Sequence, residues 1–131
     1  MQDTPIRILI VDDEPSLLRM MSLYLSRKGF SVAVADGAEA ARAQTASSTD
    51  GFDVVVADAT LPGTTLEKLA REFLDADPGV RVLAASGYPV DMKVLEAAAP
   101  GRVAFLHKPF SGDMLAVAVR RLLGNEEEES L

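Results

Sequence analysis

Charged side chains end three apolar runs of this sequence, and their types suggest phosphoryl chemistry. They are Asp58 after residues 54–57, Asp12 and Asp13 after residues 8–11, and Lys108 shortly after residues 103–106. The carboxyl ends of parallel strands share one edge of a sheet, where ligands bind. If the three runs are such strands, three carboxylates and one ammonium meet there. Together they could surround a divalent cation and a phosphoryl group.

The elements that position these residues follow from an alternation of strand-length apolar runs with segments of helical period. Strands are predicted at residues 7–11, 31–35, 52–57, 81–85 and 103–107, each followed by a helix. Such alternation predicts βαβ units and a parallel sheet. The first run is continuously apolar, as expected of a strand buried on both faces. The fold class predicted is α/β, with a (βα)5 order.

The helix ends are predicted from capping residues. The first helix starts near Pro15 and stops at Gly29. Asp36 with Glu39, and Thr64 with Glu67, have the spacing of capping boxes for the second and third helices, and Ser111 is predicted to cap the fifth. Residues 45–51 are interpreted as a polar loop. The buried face of the fifth helix is predicted to include Met114, Leu115, Ala118, Val119 and Leu122.

Composition indicates a single soluble domain and excludes several classes. The chain has 131 residues, 48% hydrophobic and 25% charged, and no cysteine, which rules out thiol catalysis and Cys-ligated zinc. A net charge of −7 argues against direct nucleic-acid binding. The first residues lack the basic region and long apolar core of a signal peptide, and no later apolar run approaches membrane-spanning length, so no membrane insertion and a cytoplasmic location are expected. Residues 1–124 are interpreted as the domain, and residues 125–131, with four consecutive glutamates, as an acidic disordered tail.

With these motifs in order, residues 6–123 resemble the receiver domain of two-component response regulators, typified by the chemotaxis response regulator. The resemblance rests on motifs at four separate strand ends. It implies a flavodoxin-like doubly wound sandwich whose five-stranded parallel sheet has the order 2-1-3-4-5, with the site at the strand C-terminal edge.

The resemblance also implies a role for each site residue. Asp58 matches the phosphoacceptor, and Asp12, Asp13, Asp58 and the Thr60 carbonyl match the ligands of Mg²⁺ or Mn²⁺. Lys108 would balance the phosphoryl charge from a cis bond to Pro109, while the Ser86 hydroxyl and the Gly87 amide would bond to phosphoryl oxygens. Phe105 matches the aromatic switch position.

The same resemblance implies partners. A histidine kinase or phosphotransfer protein would donate the phosphoryl group, contacting the first helix and its neighbouring loops. A downstream protein partner or kinase module, or a second copy in a homodimer, would contact helix four, strand five and helix five. Chemistry of its own would be limited to self-phosphorylation and hydrolysis of the phosphoaspartate. No output domain is expected after residue 123, so a complete DNA-binding regulator is not expected.

Other interpretations of these residues stay open at the level of sequence. Asp12 or Asp13 could cap the first helix, and Ser86 could be a turn residue. Phe105 is also expected as a core aromatic, and His107 as a surface residue. A degenerate receiver that binds partners without phosphorylation is one rival. An aspartyl phosphohydrolase of the haloacid dehalogenase type is another, but it needs an aspartate where Thr60 stands. A flavin carrier would need a phosphate loop where residues 12–14 are acidic.

Overall fold

A computed structural model describes residues 4–124 as five strands alternating with five helices. The strands are β1 (Arg7–Val11), β2 (Ser31–Ala35), β3 (Val54–Asp58), β4 (Arg81–Ser86) and β5 (Val103–His107). The helices are α1 (Pro15–Arg27), α2 (Ala38–Ser47), α3 (Leu66–Ala76), α4 (Lys93–Ala98) and α5 (Gly112–Leu122). The strands form one parallel sheet in the order β2-β1-β3-β4-β5, which confirms the predicted topology.

Apolar residues cover both faces of the sheet. One cluster joins Leu9, Val55 and Val82 of the sheet to α2, α3 and α4, and the other joins its opposite face to α1 and α5. All five residues of the central strand β3 are buried. This burial explains why the strand sequences are continuously apolar instead of alternating.

Two predicted capping boxes are wrong. Gly37 is the N-cap of α2, and no side-chain hydrogen bond caps that helix, so Asp36 and Glu39 do not form a box. At α3 the cap is Thr65, one residue later than expected, and its Oγ accepts a hydrogen bond from the Lys68 amide at 3.1 Å. The two threonines are adjacent, and only the backbone geometry decides which of them caps.

The Ser111 cap of α5 is confirmed, since its Oγ accepts a hydrogen bond from the Met114 amide at 3.1 Å. Met114 itself does not belong to the buried face, because it is 49% exposed and Ala116 lies in the core instead. Residue 114 sits in the first turn of a helix at the edge of the sheet, where there is less structure to cover it.

Two element boundaries also differ from the prediction. Helix α2 continues to Ser47, so residues 45–47 are helical and the connecting loop begins at Ser48. Strand β3 begins at Val54, although Phe52, two residues earlier, is buried in the core. Burial alone therefore does not mark the start of the strand.

Within residues 4–124, no helix is long and apolar enough to cross a membrane. The predicted acidic tail, residues 125–131, lies outside the described residues.

Candidate functional site

Four polar residues meet at the C-terminal edge of the sheet because each follows or ends a parallel strand. Asp12 follows β1, Asp58 ends β3, Ser86 ends β4 and Lys108 follows β5. Asp12, Asp58 and Ser86 are the buried polar residues of the described chain. Burying polar groups is costly unless they are partnered, so their partners indicate what this edge of the sheet can do.

Three carboxylates form a cluster at this edge. One oxygen each of Asp12, Asp13 and Asp58 lies within 4.8 Å of the other two. Asp12 and Asp58 are 1% and 5% exposed, whereas Asp13 is exposed. The cluster is therefore enclosed on one side and open on the other. The atoms it offers to a metal ion are all carboxylate oxygens, which small hard cations prefer.

Lys108 lies between two of these carboxylates. Its Nζ donates to Asp12 Oδ2 at 3.1 Å and lies 3.5 Å from Asp58 Oδ1. Burial alone would lower the pKa of Lys108, but the hydrogen bond to Asp12 and the charges of both carboxylates outweigh it and raise that pKa. The Lys108–Pro109 peptide bond is cis, as the resemblance implied. Lys108 thus supplies one positive charge to a cluster of three negative charges.

The alternative interpretation of Asp12 as a helix cap is not supported. Asp12 Oδ1 accepts a hydrogen bond from the Glu14 amide at 2.9 Å, which stabilises the turn before the helix. The N-cap of α1 is Glu14, and its side chain makes no capping hydrogen bond. Both oxygens of Asp12 thus have donors, one from the turn and one from Lys108.

Thr60 contacts Asp58 through groups that the sequence did not indicate. Its backbone amide and its hydroxyl both donate to Asp58 Oδ1, at 3.2 and 3.1 Å. The one contact that the family resemblance had implied for Thr60 is a metal bond through its carbonyl. An aspartate that accepts from the backbone amide two residues later forms an Asx turn, so Asp58 itself was the available signal for the amide contact.

Ser86 is 1% exposed, and its Oγ accepts a hydrogen bond from the Tyr88 amide at 3.0 Å. A hydroxyl that accepts in this way can still donate its own proton. Next to it Gly87 is exposed, and a Cβ placed there would have no neighbour within 4 Å. Space is therefore available beside the α-carbon of Gly87.

Phe105 is half-buried on β5, paired in register with Ala84 of β4. Its ring meets the His107 ring edge to face, with centroids 6.2 Å apart. His107 is exposed, as expected from the sequence. Phe105 also lines a cavity of about 590 Å³ along β5 and α5, in which Met114 is exposed. The position is therefore intermediate between core and surface.

Comparison with known proteins gives consistent matches over nearly the whole chain. The family model described as the response regulator receiver domain matches residues 8–120. The C4-dicarboxylate transport transcriptional regulatory protein DctD of Pseudomonas aeruginosa is 32% identical over 121 residues, which cover 92% of this chain and 26% of that protein. The DNA-binding response regulator MtrA of Mycolicibacterium smegmatis is 35% identical over 124 residues, which cover 94% of this chain and 53% of that protein.

The fold has a similar match among solved structures. A CheY-like response regulator receiver domain protein from Methanospirillum hungatei superposes with a TM-score of 0.81 at 25% sequence identity, covering 96% of this chain and 99% of that one. The present chain spans between about a quarter and a half of the length of the two regulators above. The similarity to them therefore concerns their receiver part.

Proposed function

Because the chain belongs to the response regulator receiver domain family, whose members are phosphorylation-activated switches, we propose that Asp58 is the residue that accepts the phosphoryl group. The observation that carries this proposal is the environment of Asp58. It is a buried carboxylate at the end of the central strand, 3.5 Å from an ammonium and clustered with two further carboxylates. Phosphoryl transfer needs mainly positioning and charge neutralisation, and this arrangement offers both.

In the proposed reaction, an Asp58 carboxylate oxygen attacks the phosphorus of the donor. The bond from phosphorus to the donor breaks, and the donor keeps the electron pair, which leaves an acyl phosphate on Asp58. Lys108 is close enough to pair with the new phosphoryl oxygens, and the free proton of the Ser86 hydroxyl can be donated to one of them. The backbone amide of Gly87, an exposed residue with no neighbour near its Cβ position, is the proposed second donor.

The residues present fit a divalent cation, Mg²⁺ or Mn²⁺. Asp12, Asp13 and Asp58 would hold it with the backbone carbonyl of Thr60, and the all-oxygen donor set suits these ions. When bound, the ion would offset the charge of the carboxylates and of the incoming phosphoryl group. The cluster is open at Asp13, which leaves room for the ion to keep several waters.

The proposed phosphoryl donor is a histidine kinase or phosphotransfer protein. A groove of about 430 Å³ runs from Asp12 and Asp13 along α1, and exposed Leu23 and Val34 line it. Apolar side chains beside a charged site are a suitable docking surface for a donor protein. Acetyl phosphate is proposed as a small-molecule donor. Slow hydrolysis, in which water takes the phosphoryl group and the Asp58 carboxylate is regenerated, is proposed as the step that ends the phosphorylated state.

The proposed output is a change in the surface formed by α4, β5 and α5. We propose that the phosphoryl group draws Ser86 towards the site and that Phe105 then turns inward over the small Ala84. Exposed Val94 and Met114 on this surface would then contact a downstream protein partner, a kinase module or a second copy of the domain. Sedimentation before and after phosphorylation would detect the homodimer.

The experiment that tests the proposed acceptor is intact mass spectrometry after incubation with acetyl phosphate, with and without Mg²⁺. We expect one added phosphoryl group that requires the cation and is absent from Asp58→Ala. Asp75→Ala, an exposed carboxylate on α3, is the matched control and should be labelled like the wild type. Full labelling of Asp58→Ala would contradict the assignment, and folded wild-type protein that is never labelled would favour a degenerate receiver.

A further inference from the structure

Phe105 and His107 form an aromatic pair on the edge strand β5. Side chains two positions apart on a strand project from the same face. The two rings meet edge to face, with centroids 6.2 Å apart and an angle of 83° between their planes, which is a favourable geometry for aromatic rings. Phe105 is half-buried and His107 is exposed, so the pair lies at the surface. The contact therefore stabilises the half-buried arrangement of Phe105, termed outward below.

His107 also lies next to the residue that is proposed to bind the phosphoryl group from β4. It is the register partner of Ser86, the last residue of that strand. The amide of the following residue, Lys108, donates to the Ser86 carbonyl at 2.8 Å and ties the end of β5 to the end of β4. His107 is thus adjacent to both residues of the proposed switch, to Ser86 through the sheet and to Phe105 through its ring.

We propose that His107 is a positioning residue whose ring holds Phe105 in the outward arrangement until the phosphoryl group is bound. This inference rests on the proposed function, in which Phe105 turns inward after phosphorylation. The inward turn has to break the edge-to-face contact, because the His107 ring lies at the surface. The contact therefore stabilises only the outward arrangement, and it lowers the population of the inward one in the free protein.

The size of the effect follows from the strength of such pairs. An edge-to-face contact between two rings shifts an equilibrium by about two- to tenfold. A ligand that requires the inward arrangement binds with an affinity that is reduced by the fraction of protein in that arrangement. Removing the His107 ring should raise this small fraction, and the affinity should rise by the same factor.

Two substitutions test whether the ring of His107 is the group that acts. His107→Ala removes the ring, and His107→Phe keeps a ring that can meet Phe105 edge to face. His107 is exposed, so neither change disturbs the core. His107→Ala is also made in a Phe105→Leu background, which has no ring at position 105 for His107 to hold.

The experiment titrates each protein with beryllofluoride at constant Mg²⁺ and reads the bound fraction from fluorine NMR. Beryllofluoride binds a carboxylate reversibly and has the tetrahedral geometry of a phosphoryl group, so it reports an equilibrium. We expect His107→Ala to bind it about two- to tenfold more tightly than the wild type, and His107→Phe to match the wild type. In the Phe105→Leu background, His107→Ala should have no effect. Asp58→Ala should bind none, which places the ligand at the proposed acceptor.

Three results would overturn the inference while leaving the proposed function intact. They are equal affinities of His107→Ala and the wild type, binding by His107→Phe as tight as that by His107→Ala, and an undiminished effect of His107→Ala in the Phe105→Leu background. Folded wild-type protein that binds no beryllofluoride would instead overturn the proposed function, and this inference with it. Thermal unfolding of each variant confirms that the compared proteins are folded.

Discussion

Removing the ammonium of Lys108 should destabilise the domain, because it leaves two buried carboxylates without their shared cation. In Lys108→Met, Asp12 loses a 3.1 Å hydrogen bond and Asp58 loses a contact at 3.5 Å, while the repulsion between the two carboxylates remains. Breaking a fully buried ion pair costs about 3–5 kcal/mol. The Lys108 side chain is 21% exposed, and both carboxylates keep backbone amide donors. We therefore expect a loss of roughly 2 kcal/mol in the free energy of unfolding, below the range for fully buried pairs.

Urea unfolding at neutral pH, with and without Mg²⁺, measures this effect. Without the ammonium the carboxylate cluster is more negative, so Mg²⁺ should bind Lys108→Met more tightly and restore more stability than it adds to the wild type. Lys93→Met, at an exposed position on α4, is the matched control and should differ from the wild type by less than about 0.5 kcal/mol. If Lys108→Met and the wild type have equal free energies of unfolding in the absence of Mg²⁺, Lys108 does not stabilise the buried carboxylates. If Mg²⁺ adds the same stability to both proteins, the Lys108 ammonium does not weaken the binding of Mg²⁺ to the carboxylates.

Three further predictions concern packing, hydrogen bonding and pH. Gly112→Ala should lower the free energy of unfolding by about 1–3 kcal/mol, because the added Cβ would lie 2.5 Å from the Tyr24 ring; urea unfolding measures the loss. Arg102→Met should cost about 2–3 kcal/mol in the same assay, because Arg102 donates to three backbone carbonyls, one in the last turn of α3 and two in the loop that joins α3 to β4. The difference in free energy of unfolding between the wild type and Lys108→Met should not change with pH around neutrality. Because the pKa of Lys108 is raised in the folded state, that difference should shrink only above about pH 10, as measured by unfolding at alkaline pH.

Each of these predictions has its own control. In a Tyr24→Ala background the cost of Gly112→Ala should nearly disappear, and an undiminished cost would exclude the ring contact as its cause. Arg71→Met, at an exposed position on α3, should be close to neutral, and a loss equal to that of Arg102→Met would contradict the carbonyl contacts. A stability difference that fades well below pH 10 would show that a group other than Lys108 titrates.

The sequence predicted the sheet well because its inner strands β1, β3 and β4 are buried almost throughout, which makes their sequences largely apolar. Four continuous apolar runs matched β1, β2, β4 and β5 to within a residue, and the strand order followed from the family resemblance. The start of β3 was misplaced because Phe52 is buried without being in the strand. Hydrophobicity reports burial, whereas strand assignment also requires hydrogen bonds to a neighbouring strand.

Helix ends were harder to predict because capping depends on backbone angles. Thr64 and Thr65 are chemically alike, yet Thr65 is the residue at the N-cap, with an extended backbone and an Oγ that accepts the Lys68 amide. At α2 the residue types of a capping box are present, but Gly37 occupies the cap position. Met114 was misassigned because helical spacing does not indicate whether another element covers that face.

At the candidate site, sequence predicted which residues meet but not how their atoms pair. Asp12, Asp58 and Lys108 come together because their strand ends share one edge, as expected. Both Thr60 donors bond to Asp58 Oδ1, and the Ser86 hydroxyl accepts a hydrogen bond from the Tyr88 amide. These contacts depend on the backbone geometry of turns that extend two residues beyond Asp58 and Ser86. Such local geometry is not encoded in residue type alone.

Mapping of the phosphorylated residue decides whether Asp58 is the acceptor. After reaction with acetyl phosphate and Mg²⁺, borohydride reduces an acyl phosphate to the alcohol, which would convert the modified aspartate to homoserine. Peptide mass spectrometry then identifies the converted position. We expect conversion at Asp58 and at neither Asp12 nor Asp13. Conversion at Asp12 or Asp13, or a stable phosphate ester on Ser86, would contradict it.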